Sequence, residues 1–290
     1  MKKRFNIVDA LLILLIVAAI AVCFLFLRSR GSIGPAEGTD VHFTVELRRV
    51  SREMIDRVEA AGIGSNVYRS TDGEYLGTLE DFRYETHMET EFASALGEYA
   101  QYEVSDRYLL YLDIVGQGTQ SATDISVNGS VIKIGQEMFV KGKGYAAGGY
   151  VVGVSVDEMV EDSAVGVGDK ELVYSVRFED IRAFTAEQFR VGDRLYDNAT
   201  GVNLGVITDV DIHPYADVRM DENGNAKFCE KPGKYSAYVT LTARCTETEN
   251  SYFIDGRSEL KVGAMLQGRT KWVLCGFTYN ELLEVREIAE

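Results

Sequence analysis

The residues best able to do chemistry in this chain are few and scattered. Gly142-Lys-Gly144-Tyr-Ala-Ala-Gly148-Gly149 has the composition of a phosphate loop. A dinucleotide loop needs Gly-x-Gly-x-x-Gly opening a helix after a strand. Here the spacing differs and the segment runs into the apolar stretch Tyr150 to Val156, so a hairpin turn is the reading. Asp221-Glu-Asn-Gly-Asn225 resembles a calcium loop, which wants Gly at the sixth position and Glu at the twelfth, between helices. Gly224 and Glu230 fall at the fourth and tenth, and a solvated turn is expected. His42, His87 and His213 lack metal-ligand spacing; His87, between Glu85 and Glu89, reads as a partly exposed histidine. No serine sits in a Gly-x-Ser-x-Gly elbow.

Cys229, Cys245 and Cys275 fall in the C-terminal half, with no Cys-x-x-Cys spacing. One disulfide with a thiol left over is open; Cys245 and Cys275, on strands, read as buried small residues. Glu46 with Glu179, and Asp81 with Asp209, read as repeated acids in like places. A structural role such as capping a turn fits them better than acid–base work, which needs two unlike environments. Tyr99, Tyr102, Tyr108 and Tyr111 crowd one stretch. They either pack at a barrel mouth or offer a surface to a glycan or lipid. With no nucleophile, metal set or cofactor loop, the expectation is a protein that is not an enzyme and holds no cofactor or metal.

Composition narrows the class without choosing a ligand. The 290 residues carry 30 Lys+Arg against 45 Asp+Glu, a formal charge of −15. Phosphate contacts need clustered cations, so no nucleic-acid partner is expected. With 46% hydrophobic residues, 28 Gly and 3 Pro, this is a folded chain long enough for one large or two average domains. Four Cys are too few for a disulfide-stapled miniprotein.

Ala10 to Leu27 carries no charge and consists almost wholly of Ala, Leu, Ile, Val and Phe. At about 1.5 Å per residue it spans about 27 Å, close to a bilayer's hydrocarbon thickness. A signal peptide has a shorter apolar core and a small-x-small cleavage site. Here Phe24-Leu25-Phe26-Leu27 leads straight into Arg28, and Cys23 follows Val22, where a lipoprotein signal wants a small residue. An uncleaved single-pass anchor is therefore expected. Lys2, Lys3 and Arg4 outnumber Arg28 and Arg30, which favours a cytoplasmic N-terminus with the bulk outside the cell membrane.

The elements that must position any site come twice. Phe43 to Val50 and Tyr174 to Ile181 share a strand pattern, and each leads into a short polar helix. The first helix starts at Ser51; the second carries Thr185 and Gln188 in capping-box spacing. Gly64, Tyr68, Gly77 and Gly135 each recur 128 residues on, as Gly192, Tyr196, Gly205 and Gly263. Asn128-Gly129 and Asp255-Gly256 are hairpin signals in matching places. A glycine inside a strand is disfavoured, so Gly77 and Gly205 point to a bulge, a positive φ or a close backbone approach. Thr90 to Val104 is expected to be a short helix inserted in the first copy, and Asp221 to Asn225 a turn in the second.

The fold class expected is mainly β with short helices (α+β): one N-terminal transmembrane helix, then two tandem small β-barrel or sandwich domains. The boundaries read as a short N-terminus over 1–6, the helix over 7–27, a linker over 28–40 and repeat domain 1 over 41–156. An acidic, Gly-containing linker over 157–171, repeat domain 2 over 172–279 and an amphipathic helical tail over 280–290 follow.

Phe5-Asn-Ile-Val-Asp-Ala-Leu-Leu-Ile-Leu-Leu15, with the order strand, helix, Gly-x-x-Val/Leu-Tyr, turn, Leu-Gly and strand, resembles a bacterial family catalogued as domain of unknown function 4330. The likeness covers the anchor and first copy, is clear in the second copy to Val210, and weakens after Lys261, where Trp272 and Cys275 depart from it. It implies a membrane-anchored envelope protein and supplies no catalytic residue. A looser similarity, through Val191-Gly-Asp193 and Leu204 to Val210, is to mammalian-cell-entry-type lipid-transfer domains. The function expected is a non-enzymatic binding or assembly module with envelope proteins, glycan or lipid as partners; the alternative is a lipid-handling module.

Overall fold

The structure is a computed structural model that describes residues 38–157 and 160–288. The expected N-terminus and membrane helix, and the linker up to residue 37, lie outside the described residues. Among the described residues no helix is long and apolar enough to cross a membrane. Thr39–Glu290 forms one compact unit.

The first half of that unit contains β1 (Thr39–Val50), α1 (Arg52–Ala61), β2 (Asn66–Arg69), β3 (Tyr75–Ala93) and β4 (Glu98–Gln120), then β5 (Ile125–Val127), β6 (Ser130–Val131), β7 (Glu137–Gly142) and β8 (Tyr145–Val156). The second half repeats the order with β9 (Lys170–Arg182), α2 (Ala183–Ala186), β10 (Arg194–Asp197), β11 (Asn203–Met220) and β12 (Ala226–Glu247). It ends with β13 (Tyr252–Ile254), β14 (Ser258–Glu259), β15 (Met265–Arg269) and β16 (Leu274–Glu287).

Each half is one eight-stranded sheet. In the first, β1 pairs with both β8 and β4, so the order β1-β8-β7-β2-β3-β4 closes on itself. In the second, β9 pairs with both β16 and β12 and closes the matching circuit. Alternation along the strands fills each interior. Val41, Phe43, Val45 and Leu47 of β1 are buried, as are Leu172, Tyr174, Val176 and Phe178 of β9. Ile55 and Val58 of α1, three residues apart on one helical face, are buried beside them.

The backbone conformations repeat as well. Positive φ recurs at Arg49 and Asp180, Asp106 and Gly233, Asn128 and Asp255, and at the paired glycines Gly64/Gly192, Gly77/Gly205 and Gly135/Gly263. Gly77 (φ +146) and Gly205 (φ +125) sit against a bulge beside β2 and β10 respectively. A Cβ at Gly77 would lie 2.1 Å from the Val115 carbonyl oxygen, and one at Gly205 2.6 Å from that of Thr242. Both the positive φ and the close approach expected of these glycines are present.

Three sequence expectations are corrected here. Thr90 to Val104 is not a helix: β3 and β4 continue past the circuit as a two-stranded arm, with Gly97 (φ +67) in its turn. Its residues pair Met88↔Glu103 through Ala93↔Glu98, and those cross-strand bonds replace helical ones. The tail after Asn280 is not a helix either, since β16 runs to Glu287 along β9. Finally, α2 spans only Ala183–Ala186, with Arg182 as its N-cap, so Thr185 lies inside it and cannot cap it with Gln188.

Candidate binding cleft between the halves

Alternation on β1 turns Thr44, Glu46 and Arg48 away from the circuit's interior. Glu46 is nonetheless only 1% exposed, because the second half covers it. The covering residue is Arg182, where β9 ends. Its Nη1 donates to Glu46 Oε1 and its Nη2 to Oε2 at 2.8 Å, the two-pronged geometry in which guanidinium matches carboxylate. Arg48 Nε adds a longer contact of 3.7 Å to the same carboxylate. The Arg182 guanidinium also lies over the Phe184 ring, 4.8 Å from its centre.

Around this pair opens a cleft of about 470 Å³ lined by Arg83, Tyr84, Glu85 and Tyr111 from one half, and Phe184 and Glu187 from the other. Tyr111, opposite Glu46 in the β1–β4 register, donates its hydroxyl to Glu85 at 2.8 Å. Burial and the acceptor Glu85 push this phenol well above its usual pKa, so it stays a donor. Arg83 bonds Asp113 at 2.7 Å and stacks over the Tyr111 ring, 4.7 Å from its centre. A neighbouring cleft of about 630 Å³ shares Glu85 and Arg182 and adds Arg48, Arg49, His87, Lys231 and Lys234.

Two further junctions hold the halves together. Lys133, just after β6, is 2% exposed; its ammonium donates to the Thr123 carbonyl at 3.0 Å and to the Thr270 and Lys271 carbonyls at 2.6 and 3.1 Å. Asp124 sits 3.1 Å from it and also takes Arg269 at 2.7 Å. Burial lowers the Lys133 pKa to about 8. Beside it Ile134 bridges Val273 in parallel fashion, with Ile134 N donating to Trp272 O at 2.7 Å and Leu274 N to Ile134 O at 3.0 Å. At the far end the arm of β3 and β4 meets a second arm, where β11 and β12 pair from Ala216↔Glu230 to Met220↔Ala226: Tyr99 donates to Asp217 at 2.8 Å, and Cys229 Sγ lies 3.3 Å from the Gly97 carbonyl.

The residues singled out from sequence are dispersed. Gly64, Gly192 and Gly263 border open space, whereas Gly135 faces the second half, with the Leu274 carbonyl 2.7 Å from where its Cβ would be. Cys229, Cys245 and Cys275 are free thiols, the first two buried and the third half-buried. Lys143-Gly144 forms the β7–β8 hairpin turn. Asp221 closes its turn by accepting from the Asn223 and Asn225 amides, both at 2.9 Å. The four tyrosines part company: Tyr99 joins the arms, Tyr102 is exposed, Tyr108 meets Tyr84 edge-on and Tyr111 lines the cleft.

Two readings change. His87 is buried at 2% exposure rather than partly exposed, because the arm base and three arginines enclose it; its partner is Arg49 Nε at 3.4 Å, not a glutamate. Glu46 and Glu179 are not equivalent. Tyr111 faces Glu46 and its counterpart Tyr238 faces Arg177, so the structural match of Glu46 is Arg177, while Glu179 is exposed. Asp81 and Asp209 do occupy like places, each just past a register shift. Arg182 and Lys133, which bridge the halves, were not legible as such, since only tertiary contact distinguishes them from other cations.

Residues 1–155 match the family model described as Domain of unknown function (DUF4330). The chain belongs to that family. The DUF4330 match ends within β8, so it takes in the first circuit and leaves Arg182, Phe184 and Lys231 of the clefts beyond it. No curated protein and no solved structure matches the chain.

Proposed function

We propose that this chain is a single-pass, membrane-anchored envelope component whose two halves are tandem copies of the family's β unit, each a small barrel. It acts as a non-enzymatic binding module, and its binding site is the cleft at the seam. The recurrence of closed circuits and positive-φ positions supports duplication. The apolar run Ala10 to Leu27, with Lys2, Lys3 and Arg4 ahead of it, supports anchoring with the N-terminus cytoplasmic.

The observation that carries the binding reading is Glu46, which one half presents and the other half buries with Arg182. Neither half alone makes that cleft. Its lining joins charged groups to the rings of Tyr84, Tyr111 and Phe184, a combination suited to a hydroxyl-rich ligand such as a glycan. An acyl chain is disfavoured there, because it would strip water from Arg83, Glu85 and Glu187 without replacing their hydrogen bonds. This favours the glycan-binding reading over the lipid-handling one.

Calorimetric titration of the full chain in neutral detergent with soluble cell-wall glycan fragments tests it. Saturable binding is expected, weakened about tenfold or more by Tyr84→Ala with Phe184→Ala, as aromatic contacts are worth about 1 kcal/mol each. Absence of binding, or binding indifferent to both substitutions, refutes the assignment. For the anchor, a membrane-impermeant thiol probe should label Ser32→Cys in intact cells; labelling only after permeabilisation would reverse the orientation.

A further inference from the structure

The larger of the two clefts holds an unusual gathering of cations for so acidic a chain. Arg48 and Arg49 reach it from the end of β1, Arg182 from the end of β9, and Lys231 and Lys234 from β12. The carboxylates at or beside the cleft are Glu46, Glu85, Glu89 and Asp180, so five positive groups meet four negative ones where the whole chain carries −15. The pairing is uneven. Lys231 and Lys234 both lean on the Asp180 carboxylate, each at 2.9 Å, and Lys234 also donates to the Asp180 carbonyl at 2.7 Å, while Glu85 is taken by the Tyr111 hydroxyl. Two ammonium groups on one carboxylate leave donor capacity to spare.

The backbone makes this crowding possible. Arg49 and Asp180 occupy matching bulges of β1 and β9, both with positive φ, near 55°. In the first half that bulge carries a cation, and in the second an anion that gathers two lysines. The repeat has thus been turned into a charged rim on both sides of the seam.

The second observation is His87, which lines the cleft and is 2% exposed. Arg49 Nε donates to its Nε2 at 3.4 Å. A neutral imidazole accepting at Nε2 carries its proton on Nδ1. Burial, with Arg48 and Arg49 close by, holds the ring's pKa below its usual value, so the ring is neutral at pH 7. Nδ1 is itself buried and has no hydrogen-bond partner among the described residues. A buried N–H donor without an acceptor, beside this group of cations, is a group that an anion would satisfy.

We propose that this cleft binds an oxyanion of the phosphate class, held by Arg49, Lys231 and Lys234 and completed by the Nδ1–H of His87. The inference deepens the binding-module reading by naming a ligand chemistry, and it rests on that reading. Free phosphate and the phosphate of a lipid headgroup present the same oxygens, so the test separates them. Its probe is inorganic phosphate, which the full chain in neutral detergent should bind saturably in calorimetry at pH 7.

Lys231→Gln with Lys234→Gln, and separately Arg49→Gln, should each weaken that binding about tenfold or more. His87→Phe should weaken it as well, while His87→Asn, which keeps an N–H near the Nδ1 position, should retain most of it. Lys261→Gln, remote from the cleft and paired with Glu259, should leave it unchanged. Melting curves identify any variant that fails to fold, and the remaining variants then carry the comparison. Phosphatidylglycerol vesicles that displace phosphate, where phosphatidylcholine vesicles do not, would assign the site to a headgroup; no displacement by either would assign it to free phosphate. Lack of saturable phosphate binding, or equal losses in Lys261→Gln, overturns the proposal. Glycan binding lost only through Tyr84 and Phe184 would then still stand, so the two readings fail separately.

Discussion

Gly192 and Gly205 permit backbone strain and steric approach to be measured apart within one half. Gly192 has φ +97, and among the described residues no atom lies within 4 Å of where its Cβ would be, so Gly192→Ala meets only the dihedral penalty. That penalty is about 1–3 kcal/mol for a residue forced into sparsely populated backbone space. Gly205 has φ +125, and its Cβ would lie 2.6 Å from the Thr242 oxygen and 2.9 Å from the Ala243 Cβ. The obstacle is the main chain of β12, which cannot turn aside as a side chain can. Gly205→Ala should therefore add about 1–3 kcal/mol of overpacking, for a total of about 2–6 kcal/mol. Gly77→Ala, at 2.1 Å from the Val115 oxygen, should cost at least as much. Urea unfolding of the full chain, followed by circular dichroism and by the fluorescence of buried Trp272, gives the three values. Equal losses at positions 192 and 205 would mean that no close approach exists. A gain from Gly205→Val, which places a good strand former in the strand, would refute the reasoning outright.

Lys133→Met should destabilise the chain by about 2–5 kcal/mol at pH 7, since it removes a buried ion that also satisfies three carbonyls. The folded pKa of Lys133, about 8, lies below the ordinary lysine value of 10.5, so between those limits the unfolded chain binds more protons. The burial penalty on the charged amine is thus fully present below pH 8 and relieved toward pH 10.5. Wild type should gain on Lys133→Met across that window by about 3 kcal/mol, each pKa unit being worth about 1.4 kcal/mol; parallel pH profiles would contradict this. In a Cys23→Ser background, Cys229 and Cys245 should resist a thiol reagent at pH 8 until the chain unfolds. Cys275, whose pKa burial raises to about 11, should react slowly; rapid native labelling of any of the three would contradict their placement.

Many of the strands, the hairpin turns and the positive φ at Gly77 and Gly205 were legible because they depend on local signals: alternation, Asn-Gly and Asp-Gly turns, and glycine where positive φ is needed. The tail after Asn280 misled because of its spacing. Leu282 and Val285 are three residues apart, as on a helix face, yet both pack on the core from a strand. Register shifts in the pairing with β9 absorb the extra residues, so Leu282 meets Tyr174 and Val285 meets Leu172. The stretch from Thr90 to Val104 misled for another reason. Its Ala, Glu and Leu residues favour a helix locally, but Gly97 turns the chain and the opposing strand supplies the hydrogen bonds.

The clefts were the least legible part. Glu46 and Arg182 lie 136 residues apart, and nothing local marks either as buried. His87 looked like a surface histidine because its neighbours in sequence are acidic, whereas its neighbours in space are Arg48, Arg49 and Arg182. Alternation does tell that Glu46 faces outward; it cannot tell that a second half comes to cover it.

Hydrogen–deuterium exchange of the full chain with and without soluble cell-wall glycan fragments tests most directly whether the seam between the halves is the binding site. Slowed exchange confined to residues 83–87 of β3 and residues 182–187 around α2 is the result expected. Protection only at the arm tips or around β13 and β14, or no protection anywhere, would contradict it.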